Sequence, residues 1–146
     1  DRPVAGADRT ATSDFLTELL PETDLLVLAL ALTSETRGIV DANTLDLLPD
    51  HALLINVARG RHVVTDDLVA ALAAGTIAGA ALDVTDPEPL PDDHPLWSEP
   101  RCLVTPHVAN TPEMGLALLT PFVEDNVRRF LEGRPLLAPV DIGLGY

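Results

Sequence analysis

The chain has 146 residues, the size of one domain of roughly 100 to 200 residues, and its hydrophobic fraction of 47% suits a globular fold, not disorder. Asp and Glu number 23 against 9 basic residues, all arginine, for a formal net charge of −14, which disfavours a nucleic-acid-binding face. The lack of lysine excludes PLP chemistry in its usual Schiff-base form and the lysine of a phosphate-cradling loop, and one cysteine, Cys102, excludes an internal disulfide or a multi-cysteine zinc site.

In chain order, a helix is expected near residues 13–20, followed by an apolar run at 25–32. A short helix at 41–48 ends at Pro49, and a second apolar run occupies 52–57. The stretch 65–75 reads as a helix with Thr65 as N-cap, Asp66 and Asp67 at the positive end of the dipole and Gly75 as its stop. A third run at 77–84 and a shorter one at 102–105, halted by Pro106, complete the strands. Thr111 and Pro112 open a long helix running to about Glu132, with Gly133 as stop and Pro121 inside it to kink or divide it. The tail from 134 to 146 is rich in Pro and Gly and reads as irregular.

Continuous apolar runs of this length suit strands buried on both faces, and their alternation with helices is the pattern of a doubly wound parallel α/β sheet. The longest run, eight residues, is too short to span a bilayer. No basic segment followed by an apolar one begins the chain, so the expectation is a soluble cytoplasmic protein.

In such sheets ligands collect beyond the carboxyl ends of the strands. Three polar features fall there. Arg59 leaves the second strand, where a planar guanidinium can hold a carboxylate or carbonyl through paired hydrogen bonds, although a surface arginine is an equal alternative. Asp83, Asp86 and Glu88 lie in a proline-stiffened loop after the third strand; taken singly they read as a solvated acidic loop. His107 follows the fourth strand and suits acid or base work near neutral pH. Together they form a constellation on one sheet edge. His51, His62 and His94 have no such placement and read as surface or loop residues.

The segments 28–38, 54–60, 80–84 running on to Glu88-Pro89-Leu90, 94–97 and 104–107 resemble, in order and spacing, the nucleotide-binding domain of the D-isomer-specific 2-hydroxyacid dehydrogenases. The resemblance implies a Rossmann-like fold and hydride transfer between NAD or NADP and a small 2-hydroxy or 2-keto acid. It implies that Arg59 binds substrate, that His107 is the acid/base, and that Glu88 pairs with His107 and favours its imidazolium form. It also implies that Asp83, Val57, Ala58 and Ala109 lie at the nicotinamide end of the cofactor, alongside Arg59 and His107. Leu30 and Thr33 fall in the segment passing the adenosine and phosphate portion, and Asp1 matches the acid on the adenosine ribose. No metal is implied; a homodimer is.

The match departs from the family in three places. Ala31 stands where the family often has Pro, and Thr85 where it often has an aromatic residue. The sequence also contains no Gly-x-Gly-x-x-Gly turn, which binds the pyrophosphate in the family. The expected architecture is therefore an incomplete doubly wound sheet lacking the first βαβ unit. Residues 1–132 are the latter part of the NAD(P)-binding domain, and 133–146 form a tail returning towards the substrate domain. The chain alone is expected to be inactive, with an apolar surface and a strand edge that invite association. The alternative is a noncatalytic α/β binding or assembly module, disfavoured because Arg59, Glu88 and His107 are all present; a corepressor-type NADH sensor should have lost that set. Asp1 leans towards NAD and Arg2 beside it offsets the inference. Glyoxylate, hydroxypyruvate and phosphoglycerate all remain open as substrates.

Overall fold

The apolar runs fold as four parallel strands of one sheet in the computed structural model, which describes residues 4–143. The strands are β1 (Leu25–Leu28), β2 (Leu53–Asn56), β3 (Gly79–Leu82) and β4 (Cys102–Val104), in the spatial order β1-β2-β3-β4. Each is shorter than its apolar run. The physical reason is clearest at β1: the last ladder bond at this end joins the Val57 amide to the Leu28 carbonyl. Beyond it the Ala31 carbonyl accepts the Thr36 hydroxyl and sits against the His62 ring, so the chain turns away from the sheet.

Register explains which face is covered. Leu26, Leu54, Ala80 and Cys102 lie side by side, as do Leu28, Asn56, Leu82 and Val104. These rows face the core with Leu20, Val40, Leu45, Leu68, Leu72 and Leu96. The alternate row carries Leu25, Val27, Leu53 and Leu103, which are 56%, 52%, 40% and 62% exposed. The expectation of strands buried on both faces is corrected accordingly. Side chains alternate across a strand, and one apolar set is open among the described residues.

Helices α1 (Leu16–Leu19), α2 (Ala42–Asp46) and α3 (Thr65–Ala74) belong to this sheet-containing unit, Asp1–Pro106. The expected first helix is a single α-turn between two 3₁₀ turns, Ser13–Phe15 and Leu20–Glu22, with Pro21 opening the second. α3 starts at Thr65 itself, so Thr65 is not the N-cap; Val64 holds that position, and the Thr65 hydroxyl donates to the Asp86 carbonyl at 2.6 Å. Gly75 ends α3 in the left-handed conformation, φ 74°, its amide reaching the Ala71 and Leu72 carbonyls. Cys102 is partly buried, and burial, then the Glu99 carboxylate, pushes its thiol up to about 11. It therefore stays protonated and makes a poor nucleophile.

Asp41 caps α2, its carboxylate accepting the Thr44 amide at 2.9 Å. That bond holds the carboxyl below the usual range. The native state then binds fewer protons than the unfolded state, so the contribution is complete above the unfolded value of about 4 and is lost as pH falls through the lower, folded one. Asp41→Ala in the intact protein is expected to cost about 1 kcal/mol near pH 7. Urea unfolding of both proteins at pH 7 and near pH 3 checks this, since the difference should shrink at the lower pH.

The second unit, His107–Tyr146, is built on α4 (Pro112–Leu131). Thr111 caps it by accepting the Met114 amide, Pro112 occupies its first turn, and Gly133 follows its end at φ 67°. The helix runs through Pro121 undivided, because a proline removes one backbone donor while the bonds on either side persist. Leu116, Leu118, Leu119, Val127 and Phe130 are exposed along it. No helix among the described residues is long and apolar enough to cross a membrane.

Candidate active site

The carboxyl ends of β2, β3 and β4 each deliver a polar group. At the end of β2, the fully buried Asn56 shapes the following turn: its Oδ1 accepts the Ala58 amide at 3.0 Å and its Nδ2 donates to the Arg59 carbonyl at 3.0 Å. Both halves of a buried amide are thus paired, as burial requires. The turn leaves Arg59 extended and exposed, with one guanidinium nitrogen donating to the Ala58 carbonyl at 2.7 Å.

A 3₁₀ turn, Gly60–His62, follows. A Cβ at Gly60 would lie 1.9 Å from the Thr85 carbonyl oxygen, so the Arg59 turn packs directly on the loop leaving β3. Two more contacts strap that loop down: the Thr65 hydroxyl on the Asp86 carbonyl, and Arg61 Nε 3.6 Å from the Asp86 carboxylate. Asp83 opens the loop, buried, its amide on the Asn56 carbonyl at 3.0 Å. Its Oδ1 accepts the Thr105 hydroxyl at 2.5 Å, which ties the end of β3 to the end of β4. Glu88 is exposed farther along the same loop.

The fold therefore brings Arg59, Asp83 and the Glu88 loop to one sheet edge. Leu30 and Val57, 36% and 43% exposed, stand just beyond β1 and β2, and Ala58 is buried. Thr33 accepts the Glu35 and Thr36 amides through its hydroxyl, closing the turn after β1. His107 begins the second unit and holds a left-handed backbone, φ 55°. Histidine is one of the few non-glycine residues that adopt that region with any frequency, and such conformations concentrate at functional sites. Ala109 is exposed two residues later. Asp1 lies outside the described residues. Among them no group of His, Cys, Asp and Glu is arranged to hold a metal ion.

One expectation holds only in part. His62 lies in the turn after β2, as a loop residue would, but it is fully buried and not on the surface. Its Nδ1 lies 3.3 Å from the Arg59 amide, and its Nε2 lies 3.3 Å from the Ala31 carbonyl. Its burial comes from pairing at a distance: Gly38 and Val40 donate to the Arg61 and His62 carbonyls, closing the strand-like segment 38–40 over it. Asn56 and Thr105 join these residues at the sheet edge. A buried-looking Asn at the end of an apolar run was a signal for the first, whereas nothing local marked Thr105.

The family described as "D-isomer specific 2-hydroxyacid dehydrogenase, NAD binding domain" matches residues 2–109. The chain belongs to this family. The family model is that of an NAD-binding domain, and in sheets of this kind ligands collect beyond the carboxyl ends of the strands. An uncharacterized protein of Corynebacterium melassecola is 50% identical over 99% of this chain and 48% of its own length. Glyoxylate/hydroxypyruvate reductase A of Klebsiella pneumoniae (strain 342) is 42% identical over 90% of the chain and 41% of its own. The NADPH-dependent glyoxylate/hydroxypyruvate reductase of Sinorhizobium meliloti, solved with NADP and sulfate, superimposes with a TM-score of 0.88 at 36% identity, covering 100% of this chain and 47% of that one. The chain thus spans about half the length of the curated relatives it matches.

Proposed function

We propose that the protein is a reductase of small 2-keto acids, of the glyoxylate and hydroxypyruvate class, using NADPH or NADH. The observation that carries this is the Arg59 turn, packed on the Asp83–Glu88 loop at the carboxyl edge of a parallel sheet, in a chain of the 2-hydroxyacid dehydrogenase family. Relatives named as glyoxylate/hydroxypyruvate reductases favour that substrate class, and neighbours solved with NADP or NADPH favour the phosphorylated cofactor.

When bound, the nicotinamide cofactor supplies or accepts the hydride. Arg59 takes the substrate carboxylate and keto oxygen, orienting the carbonyl and stabilising charge that develops on oxygen. His107 donates a proton to that oxygen during reduction and removes it during oxidation. Glu88 pairs with His107 and favours the protonated ring. Asp83, Val57, Ala58 and Ala109 form the nicotinamide side of the pocket, Leu30 and Thr33 the adenosine and phosphate side, and Asp1 the ribose contact. Within this reading residues 1–132 belong to the NAD(P)-binding domain and 133–146 return towards the substrate domain. The reading also includes a cytoplasmic homodimer, which the open apolar surface favours.

Arg59→Gln tests it. In the intact protein, KM for hydroxypyruvate should rise about 100-fold, on the scale of a lost orienting contact. An unchanged KM would remove Arg59 from substrate binding.

A further inference from the structure

We propose that His62 is the positioning residue of Arg59, joining the substrate-binding turn to the segment after β1 so that the two move as one body. This rests on the reading of Arg59 as the substrate-binding arginine. The ring is fully buried between the two segments. Nε2 faces the Ala31 carbonyl at 3.3 Å. The two links together require the ring proton on Nε2, which then donates to that carbonyl. Nδ1 is then the acceptor for the Arg59 amide at 3.3 Å.

Nδ1 also lies 2.9 Å from the Arg59 carbonyl, which receives Asn56 Nδ2 at 3.0 Å and the His62 amide at 3.2 Å, so this carbonyl competes with that of Ala31 for the single ring proton. Ala31, the far end of the link, is held in turn by the Thr36 hydroxyl at 2.8 Å, and the Thr33 amide donates to the same hydroxyl at 2.8 Å. A single imidazole therefore couples the backbone of Arg59 to the turn that contains Thr33. Asn56 fixes the Arg59 carbonyl from the β2 side and His62 fixes its amide from the β1 side, so the peptide units on either side of the Arg59 Cα are both clamped. A guanidinium on a long side chain can orient a carboxylate only as well as its Cα is held.

The test uses the intact protein with hydroxypyruvate and NADPH. His62→Leu keeps the volume and removes both bonds; KM for hydroxypyruvate should rise about 10-fold with kcat changed less than about 3-fold. His62→Asn, which can reach only the Arg59 amide, and His62→Gln, which can reach only the Ala31 carbonyl, should each leave most of that rise in place, and full recovery of KM by either overturns the link. His62→Leu added to Arg59→Gln should raise KM no further. A folded His62→Leu with wild-type KM overturns the proposal, as does a full additional rise in the Arg59→Gln background. If Arg59→Gln itself leaves KM unchanged, the reading of Arg59 has failed instead, and the two failures stay distinct. Should the leucine variant not fold, imidazole ¹⁵N shifts of the wild type decide. A proton on Nε2 and an Nδ1 shift on adding oxalate with NADP support the link; a proton on Nδ1, or no response to oxalate, overturns it.

Discussion

His107→Asn in the intact protein should cut turnover of hydroxypyruvate by about 100-fold or more, the scale of general acid-base catalysis. Reduction of a keto group leaves charge on oxygen that must be met by a proton, and among the family-matched residues His107 is the one suited to hold it near neutral pH. The backbone at 107 is left-handed, φ 55°, so alanine there carries a conformational cost of roughly 1 kcal/mol besides the loss of the ring. Asparagine tolerates that region, and comparing the Asn and Ala variants separates lost chemistry from a disturbed backbone. Both should be slow, and the Ala variant should also melt earlier. Near-normal turnover in the folded Asn variant would falsify a proton-transfer role for His107.

Gly60→Ala is expected to be the most damaging small substitution outside the acid-base group. Its Cβ would fall 1.9 Å from the Thr85 carbonyl oxygen and 2.1 Å from the carbon. Those are backbone atoms, so no rotamer change relieves the overlap. The Arg59 turn and the loop carrying Asp83 and Glu88 must separate. A loss of about 3 kcal/mol in stability is expected, the upper part of the usual range for overpacking, together with a raised KM for hydroxypyruvate. Gly133→Ala is the control. Gly133 has a left-handed backbone, φ 67°, but open space around its Cβ position, so only the conformational cost of roughly 1 kcal/mol applies. Urea midpoints of the two variants against wild type make the comparison. Equal losses would show that the close approach of Gly60 to Thr85 does not govern stability.

The elements of this protein were legible where local chemistry and tertiary context agreed. Gly75 ends α3 because glycine adopts the left-handed conformation without penalty, and Gly133 follows the end of α4 for the same reason. Thr111 and Pro112 open α4 through a side-chain cap and a preset φ. The motif order also placed Arg59, Asp83, Glu88 and His107 after strands, since a parallel arrangement sends all carboxyl ends to one edge. Thr65 misled because a hydroxyl before an acidic helical stretch resembles a cap, while its real partner is the Asp86 carbonyl, 21 residues away in the chain.

By itself, then, the sequence determined the strand-helix order, the family and the groups available for chemistry, because these depend on residue type and on spacing along the chain. Tertiary structure alone decided which apolar face of the sheet is covered: both faces of β1 are apolar, and only the packing of the helices on the sheet distinguishes Leu28 from Val27. It also decided the fate of His62. Two hydrogen bonds to segments 3 and 31 residues distant convert an undistinguished histidine into a buried link, and no periodicity or composition records a contact whose two ends meet only after the β1 and β2 turns have packed.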